Sequence, residues 1–314
     1  MSRNWQTGVA THQGMKKSKN EDSYLHLMEK DTNGNEIALF VVADGMGGYQ
    51  IGDIASRFAI AELEKWWNKR ISKLIRRKDT IERVLKETEH TLQQINKGIK
   101  ALSQQTGKKM GTTLSMIVMY QGSYAVIHIG DSRIYHMKNW NYGLQQYFQQ
   151  EAVNEQYLSS LLEEQHTEIL ETEPELLKLT EDHSWVQAQV TNGILSEEEA
   201  RSHPKRHVLT QCLGIESTIN VYSHKGTYQA SDLFLVCSDG FYSLFSNEEI
   251  KNMLVSLEKE YTNLQAICDY LINFSNFSDA NDNITLMLIR NLYVNTDYAA
   301  EKKGFFSFLK GTKL

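Results

Sequence analysis

Four aspartates stand where a folded chain could use them together. Asp44 closes the run Phe40-Val41-Val42-Ala43 and is followed by Gly45-Met46-Gly47-Gly48. Asp239 closes Leu233-Phe234-Leu235-Val236-Cys237-Ser238 and is followed by Gly240. Asp282 comes just before Asn283-Ile284-Thr285-Leu286-Met287-Leu288, and Asp131 lies in Ile129-Gly130-Asp131-Ser132-Arg133. Each sits at one end of a strand-like stretch, beside a Gly or Asn that lets backbone come close. A buried carboxylate without a partner is costly. Any single one could find an arginine or a backbone cap. As a set, clustered carboxylates repel and raise one another's pKa unless cations stand between them. All-oxygen donors select hard ions, Mg²⁺ or Mn²⁺, over zinc. Two such ions bridged by one aspartate would activate a water for in-line attack on phosphorus.

The elements that must position these residues can be read from apolar patterning. Trp5 to Thr11, Ser23 to Glu29 and the unbroken apolar run Ile37 to Ala43 read as strands, the last as a buried one. Apolar residues recur at three and four through Ile54, Ala55, Phe58, Ala59, Leu63, Trp66 and Trp67, and again from Ile81 to Leu102, which predicts two amphipathic helices. Thr113 to Tyr120 and Ser123 to Met137 read as strands joined in a hairpin at Gln121-Gly122. Strands are expected again at Ile219–Tyr228, Asp232–Ser238 and Asn283–Leu292, with helices at Glu248–Glu258 and Asn263–Phe274. Strands, two helices, strands, two helices and a last strand do not alternate as a parallel α/β fold does. They fit an α+β class in which antiparallel sheets pack on each other with helices outside.

Composition excludes several other classes. The chain has 314 residues, 41% hydrophobic and 23% charged, with only 2 prolines, so it is neither disordered nor collagen-like. A net charge of −6 argues against a nucleic-acid partner. Three cysteines with no Cys-x-x-Cys spacing predict neither a disulfide framework nor a thiolate zinc site and suit a reducing cytoplasm. No apolar run approaches the roughly 20 residues of a membrane span, and no secretory h-region is expected. Between Asn139 and Pro174 there are seven Glu, six Gln and no Lys or Arg, which reads as a surface insertion. The segment Lys302-Lys303-Gly304-Phe305-Phe306-Ser307-Phe308-Leu309-Lys310 is a short basic, aromatic tail.

Seven short motifs, in order through nearly the whole chain, resemble those of the PPM family, the PP2C-type metal-dependent Ser/Thr protein phosphatases, in their bacterial form. They are Gly14-Met-Lys-Lys17-Ser-Lys-Asn20-Glu21-Asp22, Val42-Ala43-Asp44-Gly45-Met46-Gly47-Gly48, Gly111-Thr112-Thr113, Gly130-Asp131-Ser132-Arg133, Leu179-Thr-Glu-Asp182-His183-Ser184, Ser238-Asp239-Gly240 and Asp282-Asn283-Ile284-Thr285. The resemblance implies a four-layer α-β-β-α sandwich and hydrolysis of phosphoserine and phosphothreonine on proteins by a metal-activated water. It implies two Mn²⁺ or Mg²⁺ ions and a third, weaker one. Asp44 would bridge two ions, the Gly45 carbonyl would bind one of them, and Asp239 and Asp282 would complete the other. Asp131 would hold the third, Glu21 and Asp22 would act through waters, and residues from about 183 to 214 would form a flap. The phosphatase domain is expected over 1–295 with the insertion at about 139–174, followed by the tail at 296–314. A monomer acting on phosphoproteins against a Ser/Thr kinase is the expected setting.

Three departures from the family pattern matter. Lys17 stands where the family has a phosphate-holding arginine, so a flexible point charge replaces a planar fork; Lys16 and Lys19 lie close enough in sequence to share the role. The 139–174 stretch is longer than the usual link. No histidine lies between Asp44 and the first helix, so the group that protonates the leaving oxygen is unassigned. Lys17 and the insertion leave a second reading open, a PP2C-like module that binds phosphoproteins with little turnover.

Overall fold

The computed structural model describes residues 4–47, 51–77, 79–138, 173–230, 232–261, 263–278 and 280–292. The logic of the fold is plainest in β3 (Glu36–Ala43), every residue of which is buried. Ile37, Leu39 and Val41 belong to one apolar cluster, while Ala38, Phe40 and Val42 belong to another. Side chains alternate faces along a strand, so a strand covered on both faces must be apolar throughout. The same division marks β12 (Ile284–Asn291): Ile284, Leu286 and Leu288 face one cluster, and Met287 and Ile289 the other.

These are interior strands of two five-stranded antiparallel sheets. One has the order β1 (Trp5–His12), β12, β11 (Leu233–Cys237), β8 (Arg133–Lys138), β9 (Glu175–Lys178). The other has the order β10 (Tyr222–Thr227), β7 (Ser123–Ile129), β6 (Leu114–Tyr120), β3, β2 (Ser23–Lys30). Phe40, Ile117, Val126, Phe234, Val236 and Met287 fill the space between the sheets. The long helices α1 (Gly52–Leu74) and α2 (Thr80–Thr106) cover the second sheet, with Leu63, Trp67, Val84, Leu92 and Ile95 turned inward. Helices α6 (Asn247–Glu260) and α7 (Leu264–Phe277) cover the first with Ile250, Leu254, Ile267 and Leu271. The four-layer α-β-β-α sandwich is therefore as expected.

Two local differences bear on the site. The stretch 123–137 is two strands: β7 ends at Ile129, and β8 pairs with β11 in the opposite sheet. Gly130 makes the break with a φ of 107°, and a Cβ there would lie 2.5 Å from the Thr113 Cβ. Only glycine tolerates both conditions, and the turn leaves Asp131 at the junction of the sheets. The run after Asp44 is a short strand, β4 (Gly45–Gly47), paired with β5 (Met110–Thr112). The 183–214 segment holds two short helices, α3 (Trp185–Thr191) and α4 (Glu197–Ser202), and is tied back by bridges Ser184↔Leu209 and Thr112↔Leu213. Nearly all of the 139–174 insertion and the whole 296–314 tail lie outside the described residues; the strands flanking the insertion pair as Lys138↔Glu175.

Candidate metal centre

Asp44 emerges from the buried end of β3 and is fixed by the Gly111-Thr112-Thr113 segment. Its N–H donates to Thr113 Oγ1 at 3.0 Å, and its carbonyl accepts from the Thr113 N–H at 2.8 Å and from Thr112 Oγ1 at 2.9 Å. Next to it, Gly45 is pressed between segments: a Cβ there would lie 2.3 Å from the Gly52 carbonyl oxygen and 2.5 Å from that of Glu21. Glu21 completes this joint. Its Oε1 accepts the Gly52 N–H at 2.5 Å, where the first N–H groups of α1 lack helical partners.

Asp239 opens the single turn α5 (Asp239–Tyr242), and Asp282 leads into β12. Between them, Ser238 donates its hydroxyl to Asp22 Oδ2 at 2.8 Å and accepts the Thr285 N–H at 2.9 Å. Asn283 gathers the opposite side. Its Oδ1 accepts the Glu21 N–H at 2.8 Å, and its Nδ2 donates to the carbonyls of Gln13 and Lys19, both at 2.9 Å. Asn283 thus holds the loop that carries Lys17, Glu21 and Asp22 against the strand that carries Asp282. Its place in the Asp-Asn motif was the only sequence sign of that role. Lys17 lies with Nζ 2.7 Å from Asp282 Oδ1, whereas Lys19 is engaged by Asp53 at 2.5 Å.

Asp131 is buried at the turn between the sheets. His183 clasps that turn: its N–H donates to the Gly130 carbonyl at 2.6 Å, and its Nδ1 accepts the Gly130 N–H at 3.1 Å. Both contacts fix the turn that carries Asp131. A cleft of about 590 Å³ opens beside Asp131 and Asp239, lined also by Arg133, Tyr242, Val186 and Arg206. His207, on the 183–214 segment, stands with Nδ1 3.9 Å from Asp239 Oδ2. No residue between Asp44 and the first helix announced it, because its approach to Asp239 depends on how the segment folds back.

The electrostatics mark these carboxylates as one system. Withdrawal from water, with Asp239 and Asp282 adding their charge, raises Asp22 to about 7 despite the hydrogen bond it accepts from Ser238. Asp44 is pushed well above the usual carboxylate range by withdrawal from water first, then by Asp22, Asp239, Asp131 and Asp282. Asp131 is raised in the same way, by desolvation and then by Asp239 and Asp182, against the pull of Arg133. Among the described residues no three acidic, histidine or cysteine side chains stand in ligating arrangement as the chain lies here. Several oxygens have taken other partners: Lys17 on Asp282, Ser238 on Asp22, Gly52 on Glu21. Two have not. Asp22 Oδ1 and Asp239 Oδ1 are buried with no hydrogen-bond partner. Orphaned anionic oxygens amid like charges are an unsatisfied demand for cations, and all-oxygen donors suit a hard divalent ion. The donor set fits Mn²⁺ or Mg²⁺.

An α-β-β-α sandwich with its aspartates gathered at the strand ends is the architecture of the metal-dependent protein phosphatases that the motifs resemble. The chain belongs to the protein phosphatase 2C family, whose family model matches residues 11–271. It is 30% identical over 285 residues to the serine/threonine phosphatase stp of Listeria innocua, covering 90% of this chain and 94% of that one. It is 28% identical to the protein phosphatase PhpP of Streptococcus pneumoniae, covering 90% and 95%. The solved serine/threonine phosphatase of S. agalactiae superposes with a TM-score of 0.68 at 25% identity, covering 91% and 99%. The catalytic domain of the phosphatase PstP, solved in complex with two manganese ions, shares the fold with a TM-score of 0.65 at 22% identity, covering 92% and 99%. The chain is a serine/threonine protein phosphatase.

Proposed function

We propose that the chain hydrolyses phosphoserine and phosphothreonine on proteins through two Mn²⁺ or Mg²⁺ ions, with a third at Asp131. The observation that carries this reading is the pair of orphaned carboxylate oxygens, Asp22 Oδ1 and Asp239 Oδ1, within a ring of mutually repelling aspartates. Asp44 and the Gly45 carbonyl, with Asp239 and Asp282, would hold the paired ions, with Glu21 and Asp22 in support. Bound there, such ions supply an activated water and positive charge against the phosphoryl oxygens. The remaining work falls to the chain's own groups. Thr112 and Thr113 hold Asp44 in place, and the Glu21 carboxylate fixes the start of α1 against Gly45. Lys17 brings one positive charge to the substrate phosphate. The cleft beside Asp131 and Asp239 gives a peptide room. The same reading takes residues 1–295 as the phosphatase domain, 139–174 as its surface insertion and 296–314 as a tail, and pairs a monomeric enzyme with an opposing Ser/Thr kinase.

The test is phosphate release from a phosphothreonine peptide, with Mn²⁺, with Mg²⁺ and with chelator. Activity should need the metal. Asp239→Asn should lose about 10²-fold or more in kcat, as for the loss of a principal electrostatic stabiliser, while keeping its melting temperature in chelator. Peptide binding without turnover in the presence of either ion would instead favour a binding module.

A further inference from the structure

The Lys17 ammonium holds one oxygen of the carboxylate that the reading above assigns to an ion. Nζ lies 2.7 Å from Asp282 Oδ1, which also accepts the Asn283 N–H at 2.8 Å. The neighbouring lysines are placed differently, Lys19 being paired with Asp53 and Lys16 exposed. The ammonium also feels the charges of Asp44 and Glu21. Lys17 therefore brings positive charge into a cluster that otherwise repels itself. An ammonium and a divalent cation ask the same thing of Asp282, an anionic oxygen lone pair, and both cannot take that lone pair at once. The two side chains are 39% and 41% exposed, and an ion pair so open to water contributes little. It is an exchangeable partner. The four-carbon stem matters too, because it lets the charge move while the loop stays pinned by Asn283.

We propose that Lys17 is the resident counter-ion of Asp282, that a divalent cation displaces it, and that the displaced ammonium then becomes available to the substrate phosphate. Metal therefore binds before phosphate, and phosphate affinity depends on metal occupancy. The inference rests on the metal-dependent reading of the same site. It differs in its consequence: removing Lys17 tightens metal binding while weakening phosphate binding.

The experiment is calorimetric titration of Mn²⁺ into the chelator-treated full chain for wild type, Lys17→Gln and Lys16→Gln. Lys16→Gln removes the same charge from the same loop without touching Asp282. Lys17→Gln should bind Mn²⁺ about three- to fivefold more tightly, the most that competition from an exposed ion pair allows. Lys16→Gln should stay within about twofold of wild type, as expected for a charge screened by solvent. Inorganic phosphate, titrated next, should bind the Mn²⁺-loaded wild type and lose affinity in loaded Lys17→Gln. Equal or weaker Mn²⁺ binding by Lys17→Gln, or equal tightening by Lys16→Gln, would overturn the proposal and leave the metal centre standing. No Mn²⁺ binding by wild type would overturn both. Melting temperatures in chelator confirm that each variant is folded before titration.

Discussion

Arg133 grips Asp182 side-on: Nε lies 3.1 Å from both carboxylate oxygens and Nη2 lies 2.6 Å from Oδ2. The guanidinium carbon is also 3.7 Å from the centre of the Tyr242 ring, and Nη1 donates to the Tyr135 hydroxyl at 3.0 Å. One side chain thus joins the turn carrying Asp131, the start of the 183–214 segment and the helix opened by Asp239. Asp182→Asn should leave the mostly buried guanidinium without its charge partner and cost about 3 kcal/mol, the low end for breaking a buried pair. Urea unfolding of the variant in chelator checks this. A change under about 0.5 kcal/mol would reduce the pair to a surface contact.

Stability without metal should fall as pH rises. Asp22 titrates near 7 in the folded chain against 3.8 in its ordinary state, and Asp44 and Asp131 are raised as well. Between the two values the folded chain holds more protons than the unfolded one, so each pH step upward favours unfolding. The share due to Asp22 is fully present below about pH 4 and is lost as the pH rises through about 7, and Asp44 and Asp131 act in the same direction. In chelator the melting temperature should drop from pH 5.5 to 8. Saturating Mn²⁺ should abolish or reverse the slope, because the ion binds the deprotonated carboxylates and releases their protons. A parallel slope with and without Mn²⁺ would contradict the shared-site electrostatics.

Asn283→Ala should damage the site without touching a proposed ligand. The side chain makes three hydrogen bonds to the backbone of Gln13, Lys19 and Glu21. Leaving those groups unpaired costs about 1–3 kcal/mol. The loop carrying Lys17, Glu21 and Asp22 would lose its anchor, so kcat/KM should fall by about tenfold or more, as for misplaced reacting groups. Melting scans and peptide kinetics would show both effects; an unchanged kcat/KM would mean that the loop is positioned by its other contacts.

Away from the site, Glu258 on α6 and Arg290 on β12 form an ion pair that is 2% exposed on each side. Burial pushes the Glu258 carboxyl up, and Arg290 only partly offsets it. Removing one partner, as in Glu258→Gln, should cost about 3–5 kcal/mol, while Glu258→Leu with Arg290→Met should be near neutral. A double-mutant cycle in urea measures the coupling. Additive effects would show that the two charges act independently.

The sequence by itself determined the layers and the order of the motifs. A strand buried on both faces has to be continuously apolar, so Ile37 to Ala43 declared its place in the sandwich, and apolar spacings of three and four declared the covering helices. The four aspartates were legible because each lies beside its own strand, within a few residues of the pattern that marks it. What only the tertiary structure decided lies in contacts between residues far apart in the chain. The chain crosses to the opposite sheet at Gly130, where the φ of 107° and the nearness of Thr113 leave no room for a Cβ. Glu21 spends its carboxylate on the first N–H groups of α1. Asn283 reaches back to a loop some 270 residues earlier, and Lys17 rather than Lys16 or Lys19 meets Asp282. His207 comes to Asp239 only because the segment that carries it is bridged back at Ser184 and Leu209. Periodicity reports which face of an element is buried, and it carries no record of which distant backbone closes over that face. Partners chosen by loop closure and by hydrogen-bond geometry across the sheets had to await the fold.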